Sequence, residues 1–131
     1  MTDWTTLPEF DGVDLSESYV LGWQIASSDL IFQLDVALVP GHPRYQTPRE
    51  NDRACWLSGR LHFPNARDVV GLHSQGEVPG AIDATGTRDF GNIDGISWSD
   101  GRAHVVGEFG DVTLVSARPF ITFWRLNEGI A

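Results

Sequence analysis

The chain of 131 residues contains no lysine: its nine basic residues are all arginine, against 18 acids, for a formal net charge of −9. Without lysine there is no Schiff base, no pyridoxal anchor and no phosphate-loop lysine. The same balance argues against nucleic acid as a partner, because binding it relies on neutralising phosphates with cations. Cysteine is nearly absent too. The single Cys55 allows no internal disulfide, and in the apolar run Ala54-Cys55-Trp56-Leu57 it reads as a buried, inert thiol. Long apolar runs are missing, so no membrane span is expected. The start, Met1-Thr2-Asp3-Trp4, has neither the basic nor the apolar stretch of a secretory signal. Together these absences lead to the expectation of a soluble protein of the reducing cytoplasm.

What is present is apolar and aromatic. Hydrophobic residues make up 41% and aromatics 11% of the chain, with five Trp and seven Phe, enough for a core that needs no disulfide or metal. The length suits one domain, residues 1–131. Residues 1–18 read as an irregular lead-in punctuated by Pro8 and Gly12, with at most a turn of helix at Leu15–Ser18.

Period-two alternation dominates the rest. Tyr19, Leu21, Trp23 and Ile25 share one face of a first strand, Tyr19–Ala26. In Leu30–Val39, Leu30, Phe32, Leu34, Val36 and Leu38 alternate with Ile31, Gln33, Asp35 and Ala37, the pattern of a half-buried strand. Ser27-Ser28-Asp29 joins the two as a hairpin with a loop of about three residues. Further strands are predicted over Ala54–Phe63, Asp68–Leu72, Asn92–Ser99 (bulged near Asp94-Gly95), Arg102–Phe109, Val112–Ala117 and Phe120–Trp124. Asp100-Gly101 marks a hairpin turn. Residues 73–91 are ambiguous, with room for one short strand at Ala81–Ala84. The fold class is therefore all-β: an antiparallel β-sandwich or flattened β-barrel of about eight short strands joined mainly by hairpins.

No motif specifies a chemistry. The four histidines, His42, His62, His73 and His104, show no ligand spacing. The one metal-ligating set to look for is His62, His73 and His104 with Glu108, since His104 and Glu108 would share a face of one strand. No cofactor is implied. There is no G-x-S-x-G elbow. Asp83, Asp89 and Asp94 lie among glycines but do not match a calcium loop. Asp89-Phe90-Gly91 matches the kinase tripeptide by chance, because a kinase also requires a lysine.

Two features point to recognition. The 40–53 loop concentrates His42, Arg44, Tyr45, Arg49 and Arg53, donors for an anion together with a stacking surface. Trp56 falls on the face of its strand that carries Arg60 and His62, which suits an interface or pocket better than a core. The short, acidic, Trp-rich, lysine-free style is similar to that of small bacterial domains, some of which act as immunity proteins against secreted toxins.

Three functions follow. The first is a non-catalytic interaction protein that binds a basic protein partner, as immunity proteins do. The second is a small-ligand-binding barrel or sandwich with Trp56 and Trp98 as reporters. The third is a carboxylate- or histidine-dependent enzyme, which needs a concave site holding an acid of perturbed pKa. Homodimerisation through a strand edge is compatible with each.

Overall fold

A computed structural model describes residues 2–3, 7–48, 55–82, 84 and 86–123. Among them eleven strands form: β1 (Thr2–Asp3), β2 (Val13–Ala26), β3 (Asp29–Leu38), β4 (Cys55–Phe63), β5 (Arg67–Leu72), β6 (Ala81–Ile82), β7 (Arg88–Asp89), β8 (Ile93–Ser99), β9 (Arg102–Gly107), β10 (Gly110–Val115) and β11 (Phe120–Phe123). Eight are four residues or longer. They build a sandwich of a five-stranded sheet, β1-β8-β9-β10-β5, and a four-stranded sheet, β11-β4-β3-β2, with a separate β6-β7 ribbon. All pairings are antiparallel. No helix among the described residues is long and apolar enough to cross a membrane.

The alternation of β3 is what holds the layers together. Leu30, Phe32, Leu34, Val36 and Leu38 all turn inward and are buried, where burial of such side chains contributes about 1.5–3 kcal/mol each. Phe32 lies at the centre, its ring 4.7 Å from Phe109 and 6.0 Å from Phe63. Trp23 packs edge-on to Phe90 at 5.0 Å, and its indole donates a hydrogen bond to the His73 carbonyl at 2.9 Å. One side of the sandwich is stitched shut. Val20 N–H donates to Gly91 O and Phe90 N–H donates to Val20 O, each at 2.8 Å, and the Asn92 side chain donates to Ser18 O at 2.6 Å. At β5 and β10, Gly71 (φ +93°) and Gly110 (φ +133°) let two backbones approach so closely that a Cβ on either would lie 2.0 Å from a carbonyl oxygen.

The lead-in expected over residues 1–18 is corrected here. Val13 already begins β2, and Leu15-Ser16-Glu17-Ser18 is strand interrupted by a bulge, not a turn of helix. The ladder to β3 lapses between Asp14 and Tyr19, and the buried Ser18 hydroxyl bridges the lapse. It donates to Asp14 O at 2.7 Å and accepts from Ala37 N–H at 2.9 Å. A second bulge between Val20 and Gly22 switches the parity of the strand. Val20 and Trp23 both point inward; Trp23 and Ile25, opposite Phe32 and Leu30, keep the expected common face, while Tyr19, opposite Asp35 and 39% exposed, does not share it. The connection to β3 holds two residues, Ser27 and Ser28, both at positive φ, the twist-matched hairpin geometry. The strand expected to reach Phe109 ends at Gly107, which puts Glu108 and Phe109 in the turn to β10.

A candidate binding cleft on the four-stranded sheet

The outer face of the four-stranded sheet is hollowed. Register sets its layout: Asp35 on β3 is opposite Tyr19 on β2 and Ser58 on β4, while Ala37 is opposite Asp14 and Trp56. The Trp56 ring leans across the small Ala37 towards Tyr19, with ring centroids 5.5 Å apart and planes inclined by 38°. Two cavities flank this pair. One of about 350 Å³ lies between the strands and the loop that follows β3, and Asp14, Glu17, Tyr19, Tyr45, Cys55 and Trp56 line it. The other, about 290 Å³, opens towards the β6-β7 ribbon and is lined by Tyr19, Leu21, Asp35, Trp56, Thr87 and Asp89. Tyr19 and Trp56 line both, so the two cavities adjoin at this ring pair and are together termed the cleft.

Its electrostatics are one-sided. Among the described residues, those lining the two cavities include four carboxylates (Asp14, Glu17, Asp35 and Asp89) and no cationic side chain. Burial pushes the Asp35 carboxyl above the usual aspartate range. No hydrogen bond or ion pair reaches that carboxylate from the described residues. Asp14 accepts a hydrogen bond from the Ser16 hydroxyl at 2.5 Å, and Asp89 accepts one from Gly91 N–H at 3.0 Å.

The residues expected from sequence divide. Tyr45 and Trp56 meet in the cleft. His42 faces away from it: its Nδ1 accepts the Arg44 N–H at 3.0 Å, and its ring meets Phe123 edge-on at 5.3 Å. Burial, with Arg44 nearby, lowers the His42 pKa. Arg44 is not among the residues lining the cavities. Arg49 and Arg53 lie outside the described residues, as do Trp4, Asp83 and Trp124. Cys55 lines the cleft and its Sγ accepts the Gln46 N–H at 3.4 Å.

The histidine set does not converge. His62 lies on the outer face of the four-stranded sheet, stacked on Phe120 at 4.7 Å and bonded to Thr122 at 2.8 Å. Burial lowers its pKa; Asp29 opposes the shift and Arg60 adds to it. His104 is on the five-stranded sheet, where its Nε2 lies 2.5 Å from Asp111 Oδ1. His73 and Glu108 do meet along a third cavity, beside Glu77, but Glu108 reaches it from the turn and shares no strand face with His104. Among the described residues, no group of three or more His, Cys, Asp or Glu is placed to hold a metal ion.

Sequence reasoning missed Asp35 as a site residue. The signal, weak in the sequence, was an acid on the outer side of β3 between Gln33 and the small, apolar Ala37. Compared with protein families, curated proteins and solved structures, the chain matches none.

Proposed function

We propose that this is a binding protein that engages a basic protein partner through the acidic, aromatic cleft of its four-stranded sheet, in the manner of an immunity protein. The observation that carries this reading is the cleft's lining: four carboxylates, the Tyr19–Trp56 ring pair and no cation among the described residues. Aromatic faces attract cations, and the net charge of −9 would steer a basic partner towards the protein.

Any acidic protein attracts polycations, so the test separates the cleft from the overall charge. The probe is an alternating Arg-Gly peptide, titrated by calorimetry at low and moderate salt. The double variant Asp14→Asn/Glu17→Gln removes two cleft charges, and Asp94→Asn/Asp100→Asn removes the same number from the five-stranded sheet and its hairpin turn. The cleft variant should weaken binding roughly fivefold or more, with a smaller salt dependence, and the remote variant should hardly change it. Equal losses would mean that only net charge matters, and the reading would fall.

The cavity volume favours one other reading, a small apolar ligand. A neutral aromatic probe that binds in place of the peptide, unaffected by salt, would select it.

A further inference from the structure

We infer that Tyr19, Trp56 and Asp35 form a seat for one arginine side chain of the partner. This rests on the partner-binding reading above and specifies its anchor.

The register brings three chemistries together. Asp35 is directly opposite Tyr19, so the two side chains leave the sheet about one strand spacing apart on the same face, and both line one cavity. Trp56 is two residue pairs along, on the same face, and leans back to Tyr19 over Ala37, whose single methyl leaves the hollow open. Leu21 adds an apolar wall, and Asp89 brings a second carboxylate from the ribbon to the same 290 Å³ cavity as Asp35.

The occupant must be cationic, because two carboxylates and no positive charge line that cavity among the described residues. It must also tolerate being half desolvated against aromatic and aliphatic walls. A guanidinium does both. It is planar, weakly hydrated, stacks on aromatic faces and presents a fork of donors that two carboxylates can share. A lysine ammonium is a strongly hydrated point charge and loses more on entering. An arginine would also compensate Asp35, which is held partly out of water with no counter-charge among the described residues lining its cavity.

The experiment uses capped tripeptides Gly-Arg-Gly, Gly-Lys-Gly and Gly-citrulline-Gly, citrulline being the neutral analogue of arginine. They are titrated into the full chain while the tryptophan indole N–H signals are followed by NMR; the Trp56 signal is assigned by its loss in Trp56→Phe. The arginine peptide should bind weakly and move the Trp56 signal, with lysine roughly fivefold weaker and citrulline not binding. Asp35→Asn should cost the arginine peptide roughly tenfold, the scale of one charge-assisted contact. Circular dichroism and thermal melting confirm that the variant is folded. Equal binding of arginine and citrulline, no movement of the Trp56 signal, or unchanged binding in Asp35→Asn would each overturn the seat. If the seat fails while the Arg-Gly peptide still depends on Asp14 and Glu17, partner binding stands and only its anchor is wrong. If both fail, the cleft is not a cationic site.

Discussion

On the outer face of the five-stranded sheet, His104 stands opposite Ser97 and bonds Asp111, whose side chain is 73% exposed. On the outer face of the four-stranded sheet, Asp35 stands opposite Tyr19, beside Trp56, between a loop on one side and a two-stranded ribbon on the other. The first arrangement looks more like chemistry on paper, with serine, histidine and aspartate on adjacent strands. Yet it lies open to water, where ion pairs are screened and contribute little. The second has no motif, but it is concave, walled by rings and, among the described residues, lined by no cation. What separates the two faces is desolvation. The same carboxylate chemistry becomes consequential only where water is partly excluded.

The inner faces are where the sheets are alike, because they share one core. Phe32→Ala should therefore collapse the distinction between the outer faces by destabilising both. Phe32 is fully buried and touches rings of the four-stranded sheet and of the turn between β9 and β10, so the expected loss is about 3–5 kcal/mol in urea unfolding. Ser18→Ala should sharpen the comparison. It leaves the Ala37 N–H without its partner at the bulge that turns Tyr19 outward, at a cost of about 1–3 kcal/mol. The cleft should suffer more than the other sheet: hydrogen exchange should quicken at Ala37 and Tyr19 while β9 and β10 stay protected. His104→Ala, on the open face, should change stability by about 0.5 kcal/mol or less. A larger loss there would show that the His104–Asp111 pair is not the screened surface contact its exposure indicates.

Asp35→Asn should have the smallest stability effect and the opposite sign. Burial raises the folded-state pKa of Asp35 above its unfolded value. The native state therefore binds more protons than the unfolded state between those two values, and stability falls as pH rises through that window. The asparagine variant does not titrate. Its melting temperature should exceed that of the parent at neutral pH, and the gap should close as pH falls below the ordinary aspartate range. A residue that weakens the fold where it stands, and whose replacement stabilises it, fits a binding role better than a structural one. Neutral-pH destabilisation by Asp35→Asn would instead show an unrecognised structural contact.

Much of the sheet framework was legible residue by residue. The alternation of β3, the Asp100-Gly101 turn and the bulge at Asp94-Gly95 all stand as the sequence implied, because each is set by local sterics and burial. That Trp56 faces outward was legible from the company of Arg60 and His62 on its strand face; that it lines two cavities was not. The start of β2 was not legible. Its alternation is broken by a bulge that a buried serine completes from the side, and its partner Ala37 is 19 residues away in sequence. Of the two-residue ribbon strands, β6 falls where a short strand was expected at Ala81–Ala84, while its partner β7 was illegible, being too short to carry a period.

By itself, the sequence determined an all-β chain with strongly negative charge, the alternation and turns of most of its strands, and a chemistry without lysine. The tertiary structure decided the rest: which strands share a sheet, that two bulges in β2 place Tyr19 and Trp23 on opposite sides, and that Asp35, Tyr19, Trp56 and Asp89 line one cavity. Cross-strand neighbours are chosen by register, and a single extra residue in a strand moves every following side chain to the other face. A cleft assembled from four separate strands is therefore written in no local pattern.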